Sequence, residues 1–171
     1  MKKREEELRA TTDRIQESIR MQCTRSAGPI DTHFLCSSVS IVEPSEPLLV
    51  REESTLEQVM EMLQQNRVGC VIVTDESEKA VGIFSERDYV LKCFGKIESS
   101  RTPIAEVMTP NPVSVSLDET LAFALTLMSQ GGFRHLPVVD DDSRPVGIVS
   151  VKDIVDYISN SVLEDLLNND F

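Results

Sequence analysis

Apolar positions in the first half of the chain follow two spacings, which predict strands and a helix. Residues 48–50, 70–73 and 80–84 are short apolar runs of the kind that forms strands. Between the first two runs, apolar residues from Leu56 to Leu63 have the i, i+3, i+4, i+7 spacing of an amphipathic helix. Ser54, with a glutamate three residues later, predicts a capping box at the start of that helix.

A second helix is predicted to open at Ser85, with Tyr89, Val90 and Cys93 on its inner face. The predicted order of elements is therefore β-α-β-β-α. A unit of about 55 residues buries only a small part of its surface, so it is only marginally stable alone.

The same pattern returns 65 residues later without a gap. The frame at 82–88, Gly-Ile-Phe-Ser-Glu-Arg-Asp, returns at 147–153 as Gly-Ile-Val-Ser-Val-Lys-Asp, and the helical stripe returns within 121–128. The identities exceed the roughly three that chance gives at average residue usage, which indicates an internal repeat. The predicted fold class is α/β (α+β): two tandem β-α-β-β-α units packed as a pseudo-two-fold pair, with a cleft between them.

The segments that flank the repeats have weaker patterns. Residues 2–23 predict a charged helix, which is either solvated or a short coiled-coil arm, and residues 24–40 predict a linker. At the other end, apolar residues recur every four positions from Ile154 to Leu166 and extend the last helix. This extension would either pack back on the pair or form a dimer contact.

Composition excludes several classes of function. The net charge of −12 disfavours binding to nucleic acid or to an anionic membrane surface. No apolar run approaches the roughly 20 residues that span a bilayer, and no secretory signal is found. The four cysteines (Cys23, Cys36, Cys70 and Cys93) contain no C-x-x-C motif, so reduced thiols in a cytoplasmic protein are expected, with Cys70 and Cys93 in the core. No catalytic motif or metal-ligand cluster is present, so an enzyme is not expected.

The repeated frame carries the candidate chemistry. Backbone N–H groups at the start of a helix have no intrahelical partner and form an anion site. Ser85 could donate to a phosphate or ribose oxygen, and Asp88 could accept from a pair of ribose hydroxyls. Gly82 would let a backbone approach closely. Ser-x-x-Asp is also a capping box that stabilises a helix without binding anything, and a repeat can inherit either role.

Both units resemble CBS domains, named for cystathionine β-synthase, and the chain resembles a stand-alone CBS pair. The resemblance rests on residues 71–75 with 82–88, on residues 134–140 with 147–153, and on Met-Thr-Pro at 108–110. It implies these boundaries: an N-terminal arm and linker 1–38, a first CBS domain 39–95, a linker 96–103, a second CBS domain 104–160 and a helix extension 161–171.

The resemblance implies a regulatory module that binds AMP, ADP, ATP or S-adenosylmethionine in the cleft between the repeats. It implies no required cofactor. It implies a homodimer or a separate effector protein as partner, and neither nucleic acid nor membrane. The alternative is a ligand-free oligomeric scaffold whose pockets are filled by the protein's own side chains, for example Phe84 or Phe133.

Two sets of ligand-binding residues follow from the resemblance. Arg134, His135 and Lys152 could together hold a polyphosphate, so the second repeat's half-site is expected to bind better. In the first repeat, Gly69 and Cys70 stand where the second has Arg134 and His135. The full implied set is Ser150, Lys152, Asp153, Arg134, His135, Pro137, Val113, Ser85, Arg87, Asp88, Gly69, Cys70 and Leu48.

Overall fold

The structure, a computed structural model, describes residue 34 and residues 36–168, with side chains described up to residue 160. The predicted N-terminal helix over residues 2–23 lies outside the described residues. The same holds for most of the predicted linker over residues 24–40.

The described chain has a mixed α+β fold, which confirms the predicted class. Its elements in chain order are β1 Leu49–Arg51, α1 Leu56–Asn66, β2 Cys70–Thr74, β3 Ala80–Ser85, α2 Glu86–Asp88, β4 Thr109–Pro110, α3 Leu121–Gly131, β5 His135–Val139, β6 Pro145–Ser150 and α4 Val151–Asn168. The short helix α2 continues directly into a π-helical segment, Tyr89–Cys93, and single 3-10 turns lie at Val39–Val42 and Ile104–Glu106.

The strands form a four-stranded sheet, in the order β1-β2-β3-β4, and a two-stranded sheet of β5 and β6. Strand β1 is parallel to β2, while β3 pairs with β2 and β4 in antiparallel fashion. Strand β4 was not predicted from the sequence. In the second repeat, Val115 forms only an isolated parallel bridge to Val138 where a first strand was expected.

The chain forms two compact units whose limits differ from those of the sequence repeats. The first, here called the sheet unit, contains Ser45–Ser116 and His135–Ile148. The second, the helix unit, contains the described residues up to Pro44, Leu117–Arg134 and the described residues from Val149. The first repeat therefore lies in the sheet unit from Ser45 onward, whereas the second repeat is divided between the two units.

A hydrophobic core in the sheet unit is built mainly by the first repeat, with Ile104 and Val107 added from the start of the second. Strand β2 is buried along its whole length, and Phe84 of β3 is completely buried beside it. The residues of this core are Val50, Leu56, Val59, Leu63, Val71, Val73, Phe84, Cys93, Ile104 and Val107. Cys70 and Cys93 are buried free thiols, as predicted. Val90 was expected to face inward but is 64% exposed, since the helix changes to π geometry at Tyr89 and its inner face rotates away.

The cap of α1 lies one residue later than predicted. Thr55 is the N-cap, since its Oγ1 accepts a bond from Gln58 N at 3.3 Å and its own N donates to Gln58 Oε1 at 2.9 Å. A glutamine thus completes the capping box that was assigned to Ser54 and Glu57. The helix ends at Arg67, which adopts a left-handed conformation with φ 54°.

The helix unit has its own buried residues. The hydroxyl of Thr120 caps α3 by accepting from Phe123 N at 3.2 Å, and Gly132 ends the helix with φ 69°, as its glycine predicted. The buried face of α3 consists of Leu121, Phe123, Ala124, Leu127 and Met128, so Leu125, expected on that face, is only half-buried.

The cysteine at position 36 departs from expectation. Cys36 is disulfide-bonded, so the prediction that all four cysteines are reduced thiols is wrong for this residue.

Within the part of the chain that the structure describes, no helix is long and apolar enough to cross a membrane.

The buried ring of Phe84 generates a stability prediction. Phe84→Ala should lower the free energy of unfolding by about 3–5 kcal/mol, because it leaves a cavity in the core of the sheet unit. Phe94→Ala is the matched control, since Phe94 is 67% exposed, and should cost at most about 1 kcal/mol. Urea unfolding followed by circular dichroism measures both values. Equal losses in the two variants would contradict this placement of the core.

Candidate ligand-binding site

The first copy of the repeated frame forms the junction between β3 and α2. Ser85 is extended, with φ −127° and ψ 162°, and is the N-cap of α2. The carboxylate atom Asp88 Oδ2 accepts from Ser85 N at 3.0 Å and from Ser85 Oγ at 2.6 Å. In return, Asp88 N donates to Ser85 Oγ at 3.3 Å. The pair therefore closes the strand-to-helix turn with reciprocal hydrogen bonds.

The second copy, between β6 and α4, repeats this geometry. Asp153 Oδ2 accepts from Ser150 N at 2.7 Å and from Ser150 Oγ at 2.8 Å, and Asp153 N donates to Ser150 Oγ at 3.3 Å. Both copies thus act as helix caps, as one of the two interpretations of the sequence predicted. Any ligand hydroxyl that bonds to these aspartates has their other oxygen, Oδ1, as its free acceptor position.

The two junctions differ at that oxygen. The junction of Ser85 and Asp88 is here called the first half-site. In it, Asp88 Oδ1 forms an ion pair with Lys92 Nζ at 2.8 Å. Burial by itself raises the pKa of Asp88, but hydrogen bonds from Lys92 and Ser85 outweigh it and hold the pKa below its ordinary value.

The junction of Ser150 and Asp153 is here called the second half-site. No lysine or arginine of the described residues forms an ion pair with Asp153 there. Tyr157 stands at the position equivalent to Lys92, and its ring stacks on Phe34 with centroids 5.4 Å apart. Among the residues that the structure describes, Asp153 Oδ1 has no hydrogen bond or ion pair.

Several predicted residues surround the first half-site within the sheet unit. Cys70 lies opposite Ser85 in the pairing of β2 with β3, and the carbonyl of Gly69 accepts from Glu86 N at 3.1 Å. The ring of His135 lies against Gly69, where a β-carbon would be 3.3 Å from its Nε2 atom. The structure therefore brings these three residues of the implied set together with Ser85 and Asp88.

The thiol of Cys70 has low nucleophilicity. Its burial raises its pKa to about 12, and the negative charges of Asp88 and Glu86 act in the same direction. A protonated, buried thiol is a poor nucleophile, so Cys70 forms part of the wall of the first half-site and does not react.

The remaining residues of the implied set take varied positions. Leu48 packs against the core and Pro137 is buried, whereas Val113 and Arg87 are exposed. Arg134 is exposed, and its carbonyl accepts from Val151 N, the first residue of α4, at 3.1 Å.

Lys152 is also exposed, and its ammonium pairs with Asp156 one turn further along α4. This hydrogen bond and the charge of Asp156 raise the pKa of Lys152. The lysine is therefore held by its own helix rather than presented alone to an anion.

Gly82 allows a close approach, but to a side chain of the protein. A β-carbon at this position would overlap the side chain of Met108. The glycine of the first frame thus makes room for Met108, and no ligand is needed to explain it.

A cleft of about 440 Å³ lies beside Asp153 in the helix unit. Its lining is mainly polar and carries three carboxylates: the residues are Ile41, Val42, Glu43, Asp153, Asp156, Tyr157 and Asn160. Sequence reasoning missed all of these except Asp153. Asp156 and Tyr157 could have been found at three and four positions after Asp153 on one helical face, whereas Glu43 comes from the distant 3-10 turn and has no local signal.

A metal centre finds no support in the described part of the chain, where no group of three or more His, Cys, Asp or Glu residues could hold an ion. Phe84, which the scaffold hypothesis would place in a pocket, is instead part of the core. The ring of Phe133 lies over Gly131, in contact with the position of its missing side chain.

A mixed α+β fold with two copies of one capped strand-to-helix junction defines a tandem-repeat module. The CBS domain profile matches residues 40–93 and 104–160. The chain therefore belongs to the CBS-domain family.

Known proteins with related sequences differ widely in length. The chain is 29% identical over 123 residues to an uncharacterised 17.7 kDa protein of Acidianus ambivalens, covering 70% of this chain and 72% of that protein. It is 33% identical over 126 residues to the magnesium transporter MgtE of Thermus thermophilus, but the match spans 71% of this chain and only 27% of the transporter.

Solved structures show the same fold. The CBS domain pair of protein MJ0100, solved in complex with 5′-methylthioadenosine and S-adenosyl-L-methionine, superposes with a TM-score of 0.66 at 25% identity. The superposition covers 74% of this chain and 98% of that one.

The lowered pKa of Asp88 predicts how stability depends on pH. A folded-state pKa below the unfolded value of about 3.9 contributes stability above that pH, and this stability is lost as the pH falls through the folded pKa. Asp88→Asn should therefore flatten the loss of unfolding free energy between about pH 5 and pH 2. Urea titrations across this range measure the slope, with Asp141→Asn, at an exposed turn, as the control for charge. Parallel curves for the wild type and Asp88→Asn would contradict the assignment.

Proposed function

We propose that the protein is a regulatory module that binds an adenosine-containing ligand at its Ser–Asp junctions. The observation that carries this proposal is the second half-site, where a capped aspartate keeps one oxygen without a bond among the described residues and lines a cleft. An ionised carboxylate oxygen is an acceptor, which suits the hydroxyl pair of a ribose.

The comparisons support the class of ligand. The CBS pair of MJ0100 carries two adenosine derivatives, and this chain has its fold and is 25% identical to it. The segment of the magnesium transporter that this chain matches is 27% of that longer protein. Both likenesses support a regulatory role.

In this proposal the two half-sites are unequal. Ser150 and Asp153 stand at the start of α4, a helix of 18 residues, whereas α2 has three α-helical residues before the π segment. Because the dipole of a helix grows with aligned peptide units, the first turn of α4 offers the better site for an anionic or hydroxyl group. We keep the implied residues as proposed contacts. Arg134 and Lys152 lie in the helix unit with the second half-site. The sheet unit, with the first half-site, holds the others: Leu48, Gly69, Cys70, Arg87, Val113, His135 and Pro137.

Charge narrows the choice of ligand. Glu43 and Asp156 lie in the cleft with Asp153, and Lys152 is already paired with Asp156. A triphosphate would meet this negative field, whereas a ligand with one phosphate or with a positive charge would not be repelled as strongly. AMP or S-adenosylmethionine therefore fits the second half-site better than ATP.

Signalling would proceed through a shift between arrangements of the protein that differ in ligand affinity. Three exposed apolar residues of the π segment and its C-cap, Val90, Leu91 and Phe94, offer a surface for a second copy of the chain or an effector protein. The proposal thus includes self-association or partner binding that depends on the ligand.

Thermal unfolding with AMP, ADP, ATP, GTP and S-adenosylmethionine tests the proposal. A ligand at about 100 times its dissociation constant should stabilise the fold by roughly 2.7 kcal/mol. Asp153→Asn removes the charge of the acceptor and should weaken binding by about tenfold or more, the effect of a hydrogen bond to a charged group. Isothermal titration calorimetry measures this loss directly.

The control Asp141→Asn changes the same charge at an exposed turn and should bind as the wild type does. Stabilisation by an adenosine ligand, lost only with Asp153→Asn, supports the sensor. If no ligand shifts the unfolding of a folded sample free of co-purified nucleotide, the scaffold alternative replaces it. Binding that persists unchanged in Asp153→Asn would refute the proposed site.

A further inference from the structure

The carboxylate of the first half-site is fully engaged by the protein itself. Asp88 Oδ2 accepts two bonds from Ser85, and Asp88 Oδ1 is held by Lys92 Nζ at 2.8 Å. The oxygen that has no bond among the described residues in Asp153 is therefore paired with an ammonium group in Asp88. A ligand hydroxyl that binds this oxygen competes with the ammonium group for it.

Lys92 also bonds to the chain segment that leads into the second repeat. Its Nζ donates to Thr109 Oγ1 at 3.0 Å and to the carbonyl of Val107 at 3.4 Å. Thr109 belongs to β4, which pairs with β3 opposite Ile83. One ammonium group thus joins the candidate ligand acceptor to the strand added at the edge of the sheet.

The ion pair is of a kind that a ligand can displace. The side chain of Lys92 is 41% exposed and that of Asp88 is 22% exposed, so solvent weakens their attraction. An exposed ammonium that loses these bonds can be hydrated, which limits the free energy that the ligand must supply.

We propose that Lys92 occupies the ligand acceptor of the first half-site and couples this site to β4 and the turn before it. It holds Asp88 Oδ1 when no ligand is bound. A ribose hydroxyl that takes this oxygen moves the ammonium away and so releases its bonds to Val107 and Thr109. This inference rests on the proposed function, because the competing ligand is the adenosine-containing molecule proposed above.

The second repeat shows the Ser–Asp junction without a lysine paired to its aspartate. Tyr157 occupies the equivalent position and stacks on Phe34, and no cation of the described residues forms an ion pair with Asp153. At this carboxylate oxygen, the difference between the half-sites therefore comes from the residue four positions after the aspartate. It makes the first half-site the regulated one and the second half-site the open one.

Calorimetric titration with S-adenosylmethionine and with AMP tests the proposal. The Asp153→Asn background weakens the second half-site, so the remaining binding reports mainly on the first. In that background, Lys92→Met should raise affinity about two- to fivefold, the gain from removing an exposed ion pair that competes with the ligand. Lys96→Met is the matched control, since the ammonium of Lys96 bonds only to the carbonyl of Leu91 among described groups, and should leave affinity unchanged.

Hydrogen exchange measures the coupling itself. In the Asp153→Asn protein, ligand should increase exchange of the amides of residues 107–109. Lys92→Met should show the increased exchange already without ligand, and the addition of ligand should then change it little.

Each outcome decides between distinct conclusions. If Lys92→Met binds the ligand more weakly, Lys92 is a direct ligand contact. If binding and exchange are both unchanged, the ion pair has a structural role only. Either result overturns the proposal but not the proposed function. Absence of binding by the wild type and all variants overturns the proposed function and this inference together.

Discussion

The reciprocal hydrogen bonds between a serine and the aspartate three residues later determine how each repeat turns from its last strand into its last helix. Ser85 and Ser150 end their strands in extended conformation, and each hydroxyl both accepts from the aspartate's backbone and donates to its carboxylate. Because the turn consumes the hydroxyl and one carboxylate oxygen, only the second oxygen is left for other chemistry. The difference in charge between the two half-sites acts on that oxygen.

The two repeats have similar backbone geometry at their hairpin turns but differ in the charge of the residue four positions after each capping aspartate. The turns of the two hairpins are closely similar: Asp75 Oδ1 and Asp140 Oδ1 each accept two backbone N–H groups, and a left-handed residue precedes the end of each turn. The two turns also bond to each other through Ala80 N and the carbonyl of Ser143 at 3.0 Å. By contrast, the position four residues after each capping aspartate is a lysine in one repeat and a tyrosine in the other.

Periodicity and the repeat were sufficient to predict the main elements, because strand and helix spacing is set locally. The cap at Thr55 was missed by one residue, since glutamine serves the box as well as glutamate does. The exposure of Val90 was missed because a bond from Phe94 N to the carbonyl of Tyr89 gives the turn π geometry, which a period of 3.6 cannot anticipate. Residues distant in sequence are joined in the pairing of β4 with β3 and in the bond between Lys92 and Thr109. No local sequence pattern predicts such contacts. The Ser–Asp pairs were identified correctly, but their contacts with a ligand remain a prediction.

The contact between Gly82 and Met108 has a consequence for any attempt to divide the molecule. A fragment that ended at the close of the first repeat would lose Met108 from the groove over Gly82, and with it β4 from the edge of β3. The unpaired edge of β3 would then be open to strands of other copies, which is a common origin of aggregation. Any shorter version of this protein should therefore keep β4 together with the rest of the sheet unit, Ser45–Ser116 and His135–Ile148, so that the edge of β3 stays paired.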